Sequence, residues 1–246
     1  MRTPKFSILT ITFNNEKHIE KTINSVLSQS YQDYEYIIID GNSTDNTNNI
    51  IKSYERHLSI YISEDDEGIY DALNKGISYC RGEFIILLHS GDWFINNHIL
   101  SEINNHTKED LIYLFSVYYS NGSKIVRKYN IDNWKIKDFS IGLMPPHLGF
   151  VAPSKFYQRT KPFRTDFSIA ADYELVYRML VKERYNYKKI PIAITVMLMG
   201  GESTKGLRSI IKIHREIKMI MTGEGKSYNF SHFLKKMLKR IQEIRV

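Results

Sequence analysis

The regular alternation of short apolar runs and helical stripes over the first 95 residues constrains this chain more than any other feature. Residues 6–12 read as a strand, and Ile19, Ile23, Val26 and Leu27 then recur at helical spacing. Residues 35–40 form a near-continuous apolar run of the kind covered on both faces. A turn over 41–44 leads to a helix carrying Ile50, Ile51 and Tyr54 on one side. Residues 58–63 are a third strand, and Ile69, Ala72, Leu73, Gly76, Ile77 and Cys80 make one helical stripe after it. Residues 83–90 are a fourth strand. Such alternation implies right-handed crossovers, an α/β fold and a mainly parallel sheet with helices on both faces.

The second half has a different pattern. Residues 111–129 predict two strands joined at Asn121-Gly122, a hairpin signal. Residues 140–153 read as a Pro/Gly-rich connection. A helix is predicted over 171–182 with Val176, Met179 and Leu180 inward, then a strand over 187–199 with Pro191 early or on an edge. Two amphipathic helices close the chain. Leu207, Ile210, Ile211, Ile217 and Ile220 form one apolar face, and Leu234, Met237, Leu238 and Ile241 form the other. The economical organisation is one domain over 1–204, divided into halves 1–95 and 96–204, with a helical tail over 205–246.

Charge is segregated between these parts. The tail holds 11 Lys/Arg against 3 Asp/Glu, while the preceding 204 residues hold 23 against 24. A main domain without basic excess argues against nucleic-acid binding. The tail suits peripheral contact with an anionic membrane surface, or is a solvated helix face. With Cys80 the only cysteine, no internal disulfide can form. The N-terminus has no block resembling a signal peptide, and no run approaches the roughly 18 apolar residues of a membrane span. The expected location is cytoplasmic, with peripheral contact at the inner face of the cell membrane.

In open parallel sheets, ligands bind beyond the carboxyl ends of the strands. Polar clusters follow all four: Thr12 to Asn15, Asp40 to Asp45, Glu64 to Glu67, and Ser90 to Asp92. Any one alone is ordinary turn chemistry; four on one edge point to a site. There is no G-x-G-x-x-G and no G-x-x-x-x-G-K-[ST]. An acid-lined edge without a glycine cradle would hold a nucleotide diphosphate only through a cation, for which Mg²⁺ or Mn²⁺ suits carboxylates and phosphates.

Four stretches carry a specific resemblance: ITFNNE (11–16), YIIIDGNSTDNT (36–47), SEDDEGIYDALNKGI (63–77) and GEFIILLHSGDWF (82–94). In order and spacing they resemble the family 2 glycosyltransferases, whose fold is the Rossmann-like GT-A fold for nucleotide-diphospho-sugars. MPPH (144–147), IAADYEL (169–175) and GGEST (200–204) are similar to a branch that builds bacterial capsule, exopolysaccharide or O-antigen units. The resemblance implies an inverting, metal-dependent transferase with a nucleotide diphosphate sugar donor, UDP favoured, and a growing, lipid-linked glycan acceptor.

The resemblance also implies roles. Thr12, Phe13, Asn14 and Glu16 fall where the family cradles base and ribose, and Asp40 falls where an acid contacts the base, with Asn42 and Ser43 beside it. Asp45 reads instead as a helix cap. Asp66, Gly68, Asp71, Asn74 and Lys75 fall in the donor-lining segment. Asp71 and Lys75 could equally be an ion pair four residues apart, and Gly68 and Gly76 could serve a turn and close packing. Ser90, Gly91 and Asp92 occupy the D-x-D metal motif with only its last acid retained, so Asp92 is the expected metal ligand. His147 is a further ligand or a loop residue. Asp172 matches the position of the base, a role compatible with capping its helix, and Glu174 is the fallback. Gly200, Gly201 and Ser203 are expected in a closing loop. Two other functions compete. A nucleotide-sugar-binding protein that has lost catalysis would explain the incomplete D-x-D. A nucleotidyltransferase is disfavoured, because no glycine-rich basic loop follows the first strand.

Overall fold

The computed structural model describes residues 2–160, 162–200 and 206–241. Its first half follows the predicted alternation. Strands β1 (Phe6–Thr12), β2 (Tyr34–Asp40), β3 (Ile60–Ser63) and β4 (Phe84–Leu87) pair in parallel in the order β3-β2-β1-β4. Helices α1 (Ile19–Leu27), α2 (Thr47–Ser53) and α3 (Ile69–Tyr79) connect them. β1 lies between two partners and is buried at every position, which is why its sequence is a continuous run rather than an alternation. β4 is shorter than predicted. Even so, Leu88 N–H and Ser90 N–H still donate to Leu9 and Ile11 carbonyls, keeping 88–90 on the edge of β1.

The second half changes the sheet from mainly parallel to mixed. β5 (Trp93–Phe94), α4 (Ile99–His106), and the hairpin strands β6 (Ile112–Ser120) and β7 (Ile125–Tyr129) come first. They are followed by β8 (Phe150–Pro153), α5 (Ser154–Arg159), α6 (Ala171–Tyr177) and β9 (Tyr187–Leu198). α6 runs on as a π turn over Arg178–Lys182. β8 falls inside the stretch predicted as a connection. Four residues ending in proline show no periodicity, yet β8 pairs antiparallel with both β4 and β6 and joins the halves into one sheet. β6 runs parallel to β9, and β5 and β7 pair antiparallel with β9 and β6.

The two sheet faces bury separate cores. On one, Ile8, Ile38 and Ile86 meet Ile19, Ile23, Ile51 and Ile103. On the other, Leu9, Ile37 and Leu114 meet Leu73, Val176 and Ile217. Gly76 lets α3 settle onto β1, since a Cβ there would overlap the Leu9 methyls. At the amino ends of the strands, Glu35 is buried and accepts hydrogen bonds from Ser7 Oγ (2.6 Å), Arg81 N (2.5 Å) and Gly82 N (3.0 Å).

The basic tail packs on this domain. α7 (Leu207–Gly223) buries Ile217, Ile220 and Met221, while Ile211 points to solvent at 67% exposure, off the predicted face. α8 (Phe230–Ile241) is reversed. Phe230, Leu234, Met237 and Leu238 face solvent, and Lys236 faces inward at 7% exposure. Lys239 pairs with Asp138 and holds α8 to the domain. The side chains of Leu207 and Ile241 lie outside those described.

Candidate active site

The loops after β1 and β2 lock onto each other. Asn14 and Asn42 take left-handed φ values of 46° and 60°, which asparagine tolerates better than other side chains. Asn14 Oδ1 accepts from Thr44 N–H (2.8 Å), and Asn14 N–H donates to Ser43 Oγ (2.8 Å). Glu16 accepts from Asn46 N–H (3.0 Å), and Asp45 accepts from Glu16 N–H (3.1 Å) and Thr47 N–H (3.0 Å) at the start of α2. Asp40 is fully buried and takes bonds from Ser43 N–H (3.0 Å), Ser63 Oγ (2.7 Å) and the Ser43 hydroxyl. Glu16, Asp40, Ser43 and the Asn14 amide are thus spent on loop shape. The Thr12 hydroxyl is buried with no hydrogen-bond partner among the described residues.

These loops enclose a cleft of about 450 Å³ lined by Phe13, Gly41, Asn42, Thr44, Asp65, Asp66 and Gly68. Phe13 stands at its edge, 62% exposed, and offers a flat apolar face. The Asp66 carboxylate fills the space a Cβ on Gly41 would need, and its other oxygen accepts from Gly68 N–H (2.9 Å). Gly68, at φ 115°, opens α3. Lys75 pairs with Asp71 (3.3 Å) and Glu64 (3.1 Å) and donates to the Asp65 carbonyl (2.7 Å), so the ion pair the sequence left open is present. Asn74 spends its amide on the Phe163 backbone, donating to O (2.9 Å) and accepting from N–H (2.8 Å). It draws a second-half loop onto α3, where Phe163 stacks on Tyr70.

Where β4 leaves the sheet, Gly91 turns at φ 97° and Thr22 Oγ donates to the Asp92 carbonyl (2.8 Å). Asn15 donates to Ser90 Oγ (2.8 Å), tying the ends of β1 and β4 together. Asp92 is 6% exposed, and one oxygen accepts from Leu198 N–H of β9 (2.8 Å). Burial pushes its carboxyl up to about 8, against the pull of that one bond. The other oxygen has no hydrogen bond among the described residues. A buried acid with a free oxygen and no counter-charge among the described residues fits a cation ligand. Among the described residues, no group of three or more His, Cys, Asp or Glu side chains could hold a metal. Asp92 would therefore share the ion with phosphate and water.

Asp172 sits in the first turn of α6. The predicted capping role belongs to another residue: Glu216 of α7 accepts from Ser168 Oγ (2.7 Å), Ile169 N–H (3.0 Å) and Ala170 N–H (2.9 Å). Asp172 instead accepts from Tyr173 N–H (2.7 Å) and Tyr70 Oη (3.4 Å), and its second oxygen is 4.0 Å from His147 Nδ1. Burial raises it to about 6. The fallback base Glu174 is held bidentate by Arg178 at 2.7 and 3.0 Å. His147 packs between His89 and Phe163. Burial pushes His147 down to about 4 and His89 to about 3, so both are neutral near pH 7. His89, whose buried Nδ1 has no hydrogen-bond partner among the described residues, and Tyr70 are site neighbours that no motif singled out. Gly201 and Ser203 lie outside the described residues.

The model of the family described as glycosyl transferase family 2 matches residues 7–170, from β1 to the threshold of α6. The chain belongs to glycosyltransferase family 2. An uncharacterized glycosyltransferase of Mycobacterium tuberculosis is 30% identical over 183 residues, 71% of this chain and 68% of that one. TuaG of Bacillus subtilis, named for teichuronic acid biosynthesis, is 29% identical over 118 residues, 47% of each chain. Among solved structures, Staphylococcus aureus TarS with UDP matches at TM-score 0.68 and 19% identity, covering 93% of this chain and 68% of that one. A Pyrobaculum calidifontis mannosyltransferase with GDP-mannose and Mn²⁺ matches at 0.66 and 14%, covering 97% and 69%. The fold is that of these transferases, and this family 2 member is a glycosyltransferase. Asp172 lies just beyond the matched segment.

Proposed function

We propose that this glycosyltransferase moves a sugar from a nucleotide diphosphate sugar, with UDP favoured, to a hydroxyl of a growing, lipid-linked glycan in cell-surface polysaccharide assembly, with inversion at the anomeric carbon. The observation that carries this reading is Asp172. It is a half-buried carboxyl with no ion pair among the described residues closer than His147 at 4.0 Å, and desolvation has raised it towards the pH at which it must work. A module that only binds nucleotide sugar needs no such group.

In this mechanism the base stacks on Phe13 at the mouth of the cleft lined by Gly41, Asn42 and Asp66. Asp92 would hold Mg²⁺ or Mn²⁺, and the ion supplies positive charge to offset the leaving diphosphate. Asp172 accepts the proton of the acceptor hydroxyl as that oxygen attacks the anomeric carbon from the side opposite the diphosphate. Tyr70 and neutral His147 orient the carboxylate and leave it ionised without a salt bridge. UDP is supported by the UDP and UDP-GlcNAc complexes of the similar TarS structures, and polysaccharide assembly by the name of TuaG.

The tail supports a membrane-bound acceptor. No described helix is long and apolar enough to cross a membrane, but α8 sets Phe230, Leu234, Met237 and Leu238 in solvent beside Lys235 and Arg240. That pairing of exposed apolar and basic side chains suits the surface of an anionic bilayer. The function is tested by offering UDP-, GDP- and dTDP-sugars with Mg²⁺ or Mn²⁺ and a glycan acceptor. UDP release that depends on acceptor and is lost in Asp172→Asn is expected. Donor binding without turnover in the unaltered chain would favour the binding-protein alternative.

A further inference from the structure

The backbone that carries Asp172 into the site is held from the tail. Glu216 of α7 is 7% exposed, and both of its oxygens are engaged. One accepts from Ser168 N–H (3.2 Å) and Ser168 Oγ (2.7 Å), the other from Ile169 N–H (3.0 Å) and Ala170 N–H (2.9 Å). A carboxylate can satisfy four donors at once, whereas a glutamine would turn N–H groups of its own towards them. Burial works to raise the Glu216 carboxyl, but these bonds outweigh it and hold it below its ordinary value. Ala170, which opens α6, has no side-chain oxygen with which to cap the helix itself. Asp172 follows two residues later. Outside α6 its carboxylate meets Tyr70 Oη at 3.4 Å and His147 Nδ1 at 4.0 Å, contacts too long to fix where it sits. Its place is therefore set by the first turn of α6. The tail braces the rest of that helix as well: Tyr173 Oη lies 3.3 Å from Met221 Sδ, Lys226 donates to Tyr177 Oη (2.7 Å), and Lys182 pairs with Glu224 (2.9 Å).

We infer that Glu216 is a positioning residue for the transfer reaction, holding the entry of α6 so that Asp172 meets the acceptor hydroxyl at the right distance and angle. The inference rests on the reading of Asp172 as the base. Glu216 acts through the backbone of Ser168, Ile169 and Ala170. Its bonds are charge-assisted, so they hold that backbone more firmly than neutral ones would. The rate depends steeply on this, because a displacement of about 1 Å at a reacting group can cost about a hundredfold. The donor cleft does not share the dependence. Its loops follow β1, β2 and β3 and are bonded to one another, as Asn14 is to Ser43 and Thr44. Glu216 lies 46 residues beyond Ala170 in the chain. The tail therefore completes the half of the site that handles the acceptor proton and leaves nucleotide binding to the first half of the chain.

Glu216→Ala in the full chain tests this, with the donor and acceptor that the assay of UDP-, GDP- and dTDP-sugars selects. The expected result is a tenfold or greater loss of kcat with affinity for UDP unchanged within twofold. A second readout needs no substrate: NMR titration of the ¹³C-labelled Asp172 carboxyl. Its midpoint should fall towards the ordinary aspartate value, as a loosened turn lets water in. Ile220→Ala, one turn further along α7, is the control for stability alone. It removes buried packing from the same helix and should lower the melting temperature while keeping the parent kcat and the parent Asp172 titration. If Glu216→Ala fails to fold, Glu216→Gln takes its place and is read by the same criteria. A Glu216 variant with the parent kcat overturns the inference. So does an equal loss of kcat in Ile220→Ala, which would make the effect one of tail packing. Asp172→Asn separates the two readings. If it is inactive while the Glu216 variant keeps the parent rate, the inference alone fails. If it keeps its turnover, the base assignment fails and takes the inference with it.

Discussion

Removing the charge of Asp172 should abolish transfer while leaving the protein as stable as before, or more so. Burial lifts its carboxyl from an ordinary 3.8 to about 6. At about 1.4 kcal/mol per unit, keeping it ionised at neutral pH costs the fold up to about 3 kcal/mol. The side chain is 28% exposed, so solvent screens part of that, and about 1–2 kcal/mol is the working figure. The sign follows from the raised value: the cost is present above about pH 6 and is relieved as pH falls from 6 towards 4. Asp172→Asn removes it while still accepting from Tyr70. Activity has the opposite dependence, because the base works only when ionised. About nine-tenths of Asp172 is ionised at pH 7 and about one-tenth at pH 5, so kcat/KM for the acceptor, with donor and metal saturating to hold Asp92 ionised, should fall about tenfold between them. His147 is neutral throughout that window, and Lys236, at about 7, loses charge only at its upper end. The assay is initial-rate release of the nucleoside diphosphate from pH 4.5 to 8, with thermal melts of both proteins. A rate profile flat down to pH 4.5, or an asparagine variant with the same ascending limb as the parent, would refute the reasoning.

Further outcomes follow from the geometry. Asp92→Ala should remove metal-dependent donor binding, whereas Ser90→Ala should weaken it only modestly, measured by calorimetry with Mn²⁺ and UDP; full metal-dependent activity in the alanine variant would place the ion elsewhere. Phe13→Ala should cost about 1–3 kcal/mol of nucleotide affinity with little change in melting temperature, because the ring is exposed and stacks on no described aromatic side chain. Gly76→Val should destabilise by about 1–3 kcal/mol through overlap with Leu9, seen as a drop of several degrees in the melt. Leu234→Glu with Leu238→Glu should abolish flotation with anionic liposomes and leave transfer to a soluble acceptor intact, while high salt alone should weaken flotation only in part.

Local patterns carried much of this molecule. β1 and β2 were legible because strands covered on both faces need unbroken apolar runs, and the hairpin because Asn121-Gly122 suits a tight turn. Asp92 and Asp172 stood out as acids in stretches with a recognisable order. What escaped notice depended on partners far along the chain. β8 is too short to show a period and exists because two other strands flank it. Asn74 looks like a donor contact until the Phe163 backbone, 89 residues on, takes both its amide atoms. Asp172 looks like a cap until Glu216 supplies one from α7. The apolar stripe of α8 was visible in the sequence, but not which way it faces. That choice is made by Lys239 and Asp138, which no local pattern connects.

The direction in which α8 faces has a consequence for the length of the product. If its apolar side rests on a bilayer, as proposed, the helix would be a spacer about 10 Å thick between the lipid surface and the domain. Such a spacer would work as a ruler. On the proposed lipid-linked acceptor it would bring membrane-proximal sugars level with the domain and carry those further out past it. An enzyme so mounted would act early in chain growth and stop by itself once the acceptor outgrew the thickness of one helix.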